Sequence, residues 1–146
     1  MVTIAKSKLE EALEKYMLGT SVTLRAGILE EAKYPDGAQV AQVGYIQEYG
    51  APEAKIPPRP FFRAVINEGK QAWPAILASG VEHYQGDVKS ALALLGEQIV
   101  GELSQSVRDW NSPPNAPATI AKKGFNKPLI DTGQMANSFS YEVTDD

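Results

Sequence analysis

Asp131 lies in the segment of this sequence that comes nearest to a known catalytic motif. In Leu129-Ile130-Asp131-Thr132-Gly133, two apolar residues precede Asp-Thr-Gly, which is how aspartic proteases present a catalytic carboxylate. Such an enzyme needs two carboxylates that share a proton, and a homodimer could supply both from one motif. Gln134 then stands where those enzymes carry Ala or Ser. We therefore favour a structural role, in which Asp131 caps a short helix, and keep a homodimeric aspartic-type protease as an alternative.

The sequence contains few residues that could support other kinds of catalysis. His83 is the only histidine, and no nucleophile elbow lies near it from which a Ser–His–Asp arrangement could be built. No glycine-rich phosphate loop occurs, and without cysteine only carboxylates remain beside His83 to hold a metal. We expect a protein that is not an enzyme, with no catalytic residue, no metal and no cofactor.

Two groups of residues are better suited to binding than to catalysis. Lys122, Lys123 and Lys127 surround Phe125 in a proline-rich stretch, where they could contact phosphates or an acidic protein surface, or simply form a solvated face. Phe61 and Phe62 are adjacent, so that on a helix one ring points into the core and the other points away from it. The outward ring would suit a pocket between subunits.

The bulk composition is that of one globular domain. The chain has 146 residues, 43% hydrophobic and 22% charged, and no apolar run long enough to span a membrane. The first residues, Met1-Val2-Thr3-Ile4-Ala5-Lys6, lack the apolar core of a signal peptide, so we expect the chain to remain in the cytosol where it is made. The formal net charge of −4 argues against a general nucleic-acid binder.

Periodicity in the first half predicts a helix followed by a hairpin. Apolar residues at helical spacing predict an amphipathic helix over 3–18, and alternation over 21–28 predicts a strand. Pro35-Asp36-Gly37 predicts a tight turn, with a strand that returns through residues 39–42. Residues 43–50 fit a helical turn ended by Gly50 better than a continuing strand.

Prolines and helical patterns alternate in the remainder. Four prolines in residues 51–60 predict an extended arm, after which Pro60 starts a helix that Gly69 and Pro74 either kink or divide before Gly80. The clearest pattern predicts a long helix from an Asp87 cap to Trp110. Its interior glycines, Gly96 and Gly101, indicate close approach of another backbone, either within the subunit or between subunits.

The end of the sequence predicts a second arm and a final strand. Residues 111–130 contain four prolines and little regular pattern, and a connection of that length is typical of a binding segment. A turn of helix through Met135 precedes a strand over 138–143, which could join the sheet of the hairpin. The expected fold is a single α+β domain. It has a small antiparallel sheet, made of the hairpin and the C-terminal strand, packed against one long helix and several shorter ones, with arms at 51–60 and 111–130.

Two motif groups resemble those of phage head–tail joining and tail-completion proteins, also called neck or collar proteins. The first runs from Ile46-Gln47-Glu48-Tyr49-Gly50 to Ile56-Pro57-Pro58-Arg59-Pro60-Phe61-Phe62-Arg63, a Glu-aromatic-Gly and Pro-x-Pro-Phe signature. The second comprises Pro113-Pro114-Asn115-Ala116-Pro117-Ala118-Thr119, Lys123-Gly124 and Pro128-Leu129-Ile130-Asp131-Thr132-Gly133-Gln134-Met135 through Ser138. Together they cover roughly residues 40–143. The same motifs occur in collar, tail-terminator and tail-completion subunits, so that all three remain open.

The resemblance implies a virion structural protein without catalytic residues. Its copies would form a six- or twelve-fold ring at the head–tail junction, touching portal, connector, tail-terminator or tail-tube proteins and enclosing DNA without sequence-specific binding or membrane contact. An acidic inner wall would let DNA pass without sticking. A prophage-encoded cytosolic interaction module is a further alternative. The candidate interface residues are Pro58, Arg59, Pro60, Phe61, Phe62, Pro113, Pro114, Pro117, Lys123 and Phe125.

Overall fold

The computed structural model describes residues 21–110 and 133–145. The helix predicted over 3–18 and the arm predicted over 111–130 lie outside these residues. The described elements, in chain order, are strand β1 (Val22–Ile28), helix α1 (Val40–Tyr49), a short 3-10 helix (Pro52–Ala54), helix α2 (Phe61–His83), helix α3 (Val88–Asp109) and strand β2 (Phe139–Asp145).

The sheet has two antiparallel strands that come from opposite ends of the described chain. β1 and β2 pair in a continuous register from Val22 opposite Asp145 to Ile28 opposite Phe139. Alternate residues of both strands face the helices, so Phe139, Tyr141 and Val143 pack inward on one face of β2. The α+β class is confirmed, as is the joining of the C-terminal strand to the first strand.

The predicted hairpin is wrong in its returning strand. The turn at Pro35-Asp36-Gly37 does form, and across it the Tyr34 amide donates to the Ala38 carbonyl at 2.8 Å. The strand pairing beside this turn is limited to one isolated bridge, between Lys33 and Gln39. The chain then enters α1 at Val40, whose side chain is fully buried. The buried residues of α1 recur every four positions, at Val40, Gly44 and Glu48, whereas a strand would also turn Gln42, which is exposed, to the core side. The helical interpretation of residues 43–50 is therefore correct, over a longer span than expected.

α2 is one helix and not two. It runs through Pro74, which cannot donate a backbone hydrogen bond, and continues because residues on both sides of the proline are buried. At Gly80 the helix lies close to α3, since a Cβ there would stand 3.2 Å from the Cβ of Ala91.

α3 is the central helix, as its sequence predicted. Asp87 caps it, accepting hydrogen bonds from the amide of Ser90 at 3.2 Å and from its hydroxyl at 2.7 Å. One side of α3 packs on α2 and another on both strands. The buried residues of α3 are Val88, Ala91, Leu92, Leu95, Gly96, Ile99, Leu103 and Val107.

The interior glycines of α3 differ in their surroundings. A Cβ on Gly96 would lie 2.6 Å from the Tyr141 ring and 3.0 Å from a methyl of Leu24, so the sheet does approach closely there. A Cβ on Gly101 would meet no described atom within 4 Å, and the expected close approach is absent from this part of the structure. Within the described residues, no helix is both long and apolar enough to cross a membrane.

Candidate functional site

The first motif group of the sequence forms a folded junction between α1 and α2. Gly50 ends α1 with a positive φ of 77° and donates its amide to the Ile46 carbonyl at 2.7 Å. A Cβ at this position would stand 2.8 Å from both the Ile56 carbonyl oxygen and the Pro58 nitrogen, so glycine is required for space as well as for its φ. The glycine of the signature therefore sets the path of the chain after α1.

The predicted arm over residues 51–60 does not extend away from the domain. Ala51 and Ile56 pair by two backbone hydrogen bonds around the 3-10 helix, which closes a compact loop. Residues 57–60 have no regular secondary structure, but the Arg59 amide donates to the Gln47 carbonyl at 2.7 Å. Short proline-rich segments fold back in this way where neighbouring carbonyls accept the few amides that remain.

Glu48 supplies the cap that the start of α2 lacks. The N-cap residue is Pro60, which has no side-chain acceptor for the first free amides of the helix. Glu48 fills that role from α1, since its Oε1 accepts the Phe62 amide at 2.7 Å and its Oε2 the Arg63 amide at 3.4 Å. The carboxylate is buried, with the side chain only 6% exposed. The glutamate of the signature thus joins two helices.

Arg63 closes the junction from the solvent side. Its Nε donates to Glu48 Oε2 at 2.6 Å and its Nη2 donates to the Glu48 backbone carbonyl at 3.0 Å. The hydrogen bond to Glu48 raises the pKa of Arg63, and the guanidinium carbon lies 4.6 Å from the centre of the Tyr49 ring. Charge-assisted hydrogen bonds and a cation–π contact therefore hold one side chain in place.

An open apolar groove lies directly beside this junction, between α1 and the first turns of α2. We call it the tyrosine groove, because Tyr45 and Tyr49 form its rim with 67% and 52% exposure and ring centres 4.8 Å apart. Ile66, also exposed, and the half-buried Phe62 line the opposite side. The volume of the groove is about 380 Å³.

The structure divides the candidate interface residues of the first motif group. Arg59 is 7% exposed, donates to the Gln47 side chain at 2.9 Å and has its pKa lowered by burial, while Phe61 is 1% exposed in the core. As interface candidates these two are wrong, because their own chain covers them. Pro58 is exposed, and Pro60 and Phe62 are half-buried. Phe61 lies in the core, whereas Phe62 lines the groove and also packs against the core, so it does not point wholly away from the core as their adjacency predicted.

Sequence reasoning missed Tyr45, Tyr49 and Ile66. The two tyrosines are four residues apart, a spacing that signals a shared helix face only once α1 is known to be a helix. The helical turn predicted over 43–50 contains both tyrosines, but nothing in the sequence shows that their face stays exposed. The candidates of the second motif group, Pro113, Pro114, Pro117, Lys123 and Phe125, lie outside the described residues, as does Asp131.

Residues with catalytic potential are not assembled in the part of the chain that the structure describes. His83 is exposed, as expected, and its ring packs edge-on against Tyr84 at 4.9 Å. Across residues 21–110 and 133–145, no three His, Asp or Glu side chains are grouped closely enough to hold a metal ion.

Comparisons of the whole chain with protein-family models, with curated proteins and with solved structures found no match.

Proposed function

We propose that this protein is a structural subunit of a tailed-phage particle, one copy of a six- or twelve-fold ring at the head–tail junction. The tyrosine groove carries the proposal. Six large hydrophobic side chains are exposed in the described residues, and three of them, Tyr45, Tyr49 and Ile66, line this one groove. A cluster of exposed aromatic and aliphatic side chains is typical of a protein–protein interface.

The composition of the groove is that of a binding hot spot. Tyrosine and arginine are enriched among residues that dominate interface energies, and here Tyr45, Tyr49 and Arg63 lie side by side. Arg63 is already fixed by Glu48, and the tyrosine rings support each other. A partner therefore finds ordered side chains, which lowers the entropy cost of association.

The position of the tyrosine groove explains why the residues of the first motif group occur together. Glu48, Gly50 and Pro58 to Phe62 form the junction that holds Tyr49 and Phe62 on either side of the groove. In the described residues, the signature therefore serves to build one surface. That supports an assembly role over an enzymatic one.

A ring follows if the groove meets a different surface of the next copy. Such heterologous contacts close into a ring when the rotation between copies divides a full turn. At a formal charge of −4 per chain, a ring of six or twelve copies is strongly acidic, which suits a channel that DNA crosses without binding. The neighbours in the particle would be portal, connector, tail-terminator or tail-tube proteins.

Native mass measurement of the purified chain tests the proposal. We expect a mass of six or twelve copies, alone or after addition of purified phage portal complexes, and loss of that species in Tyr45→Ser/Tyr49→Ser. Tyr84→Ser is the matched control, because Tyr84 is an exposed tyrosine that does not line the tyrosine groove. A chain that stays monomeric in both conditions, or a double variant that assembles normally, contradicts the proposal.

A further inference from the structure

A second groove runs between α2 and α3, away from the tyrosine groove. We call it the acidic groove and define it by Glu68, Trp73, Glu102, Gln105, Asp109 and Trp110. Its volume is about 590 Å³. Three carboxylates and two indoles line it, and none of the described lining residues is Lys or Arg.

The wall of the acidic groove is held in place by its own hydrogen bonds. The indole of Trp73 lies across Gly69, where a Cβ would stand 2.0 Å from a ring carbon, so only glycine leaves it room. Trp73 Nε1 donates to Glu102 Oε2 at 3.1 Å, and Gln98 donates to the other oxygen at 3.1 Å. A half-buried carboxylate is thereby fixed at the edge of an indole ring, and its negative charge attracts ammonium groups.

The sequence contains a segment of matching chemistry. Residues 111–127 carry Lys122, Lys123 and Lys127, with no Asp or Glu, in a chain whose formal net charge is −4. By contrast, the lysines of residues 1–20 are interspersed with glutamates. Phe125 adds an aromatic side chain, and the prolines restrict the backbone, which lowers the entropy lost on docking.

The chain length permits this segment to reach a neighbour. The structure leaves α3 at Trp110 and resumes at Gly133, and Arg108 donates to the Asn137 side chain at 2.8 Å, so both ends lie at one end of the domain. The 22 residues between them can reach outward and return over roughly 35–40 Å. A domain of this size has a radius of gyration of only about 15 Å.

We propose that the acidic groove binds residues 111–127 of a neighbouring copy, with the lysine ammonium groups on Glu68, Glu102 and Asp109. The inference rests on the proposed ring, because it names the contact by which each copy holds the next. The tyrosine groove then remains for a second contact, with another face of the neighbour or with an adjoining phage protein.

Disulfide cross-linking tests this contact cleanly, because the chain has no cysteine. Gln105→Cys places a thiol in the groove, and Ala121→Cys places one beside the lysines. When the two single variants, carrying different affinity tags, are mixed and oxidised, we expect a covalent dimer that contains both tags. Asn67→Cys is the control partner for Ala121→Cys, since Asn67 is exposed but lines neither groove.

Charge reversal provides a second measurement. Glu68→Lys/Asp109→Lys should weaken assembly at least about tenfold, and adding Lys122→Glu/Lys123→Glu to the same chain should restore it. Both groove positions are exposed, so the fold should tolerate the changes.

The outcomes of these experiments distinguish the docking of residues 111–127 from the proposed ring. Rings that assemble but give no Gln105–Ala121 cross-link overturn the docking and leave the ring standing. A variant that carries both Gln105→Cys and Ala121→Cys gives a further check. If its disulfide forms within one chain in preference to between copies, the docking on a neighbour is also overturned. If native mass finds no assembly in either condition, the proposed function fails, and this contact fails with it.

Discussion

The carboxylate of Glu48 accepts the backbone amide of Phe62 at 2.7 Å, so a residue at the end of one helix caps the beginning of the next. A local cap is impossible there, because Pro60 precedes the helix and has no side-chain acceptor. The same Glu48 side chain, almost fully buried, also binds Arg63. The junction therefore depends on one negative charge whose burial is compensated from three directions by donors.

Removal of this carboxylate is the most damaging single change that we predict in the junction. Glu48→Ala leaves two amides and the Arg63 Nε without their acceptor, and should lower the free energy of unfolding by about 2–3 kcal/mol in urea denaturation. Glu53→Ala, at an exposed glutamate of the nearby 3-10 helix, should change it by less than about 0.5 kcal/mol. Equal stabilities of the two variants would contradict the capping role.

The two interior glycines of α3 should respond to alanine in opposite ways. Gly96→Ala gains about 1 kcal/mol of helix propensity but drives a methyl into Tyr141 and Leu24, so we expect a net loss of about 1–2 kcal/mol. Gly101→Ala meets no described atom and should gain about 0.5–1 kcal/mol. Thermal unfolding of both variants beside the wild type measures this, and a stabilised Gly96→Ala would show that the sheet yields easily.

The cap of α3 should depend on pH. Hydrogen bonds from the Ser90 hydroxyl and amide lower the pKa of Asp87, so its ionised form is favoured in the folded state. Its contribution to stability is therefore complete above the unfolded pKa of about 3.9 and is lost as the pH falls through the lower folded value.

Asp87→Asn keeps a capping side chain but does not titrate. The stability advantage of the wild type over this variant should be greatest at pH 5–7 and should shrink by pH 3, in urea denaturation at each pH. An advantage that stays constant, or grows on acidification, would count against the ionised cap.

Deletion of residues 111–127 should separate folding from assembly. The described residues on either side of the segment lie close together, since Arg108 donates to the Asn137 side chain at 2.8 Å, so the shortened chain should still unfold cooperatively with a similar Tm. The proposed neighbour contact is gone, however, and light scattering should find no ring. Replacing the 17 residues by a Gly/Ser stretch of equal length is the control, and it should also fail to assemble. Intact rings from either chain would show that the segment is dispensable.

Several elements could be predicted because their signals are local. The α3 helix has an Asp87 cap and a stripe of apolar residues at steps of three and four, both visible without any neighbour. The final strand alternates in the same way. The residues of the junction could also be singled out from the sequence, although their roles could not.

The predictions were wrong where contacts with residues distant in the sequence determine the local structure. Residues 39–42 alternate well enough for a strand, but burial of Val40 and Gly44 against the core favours a helix. Arg59 looks like a surface residue of a proline-rich arm until Gln47 accepts its hydrogen bonds. The periodic signals within 40–60 are too short to outweigh such contacts.

The sequence by itself determined the α+β class, the central helix with its cap, and the pairing of a C-terminal strand with the first. Only the tertiary structure decided that Glu48 caps a helix 14 residues further along, that residues 51–60 fold back, and that Tyr45, Tyr49 and Ile66 share one groove. The physical reason is that helix periodicity and local caps are encoded in neighbouring residues. A surface depends instead on which residues, remote in the chain, the packing of the core brings together.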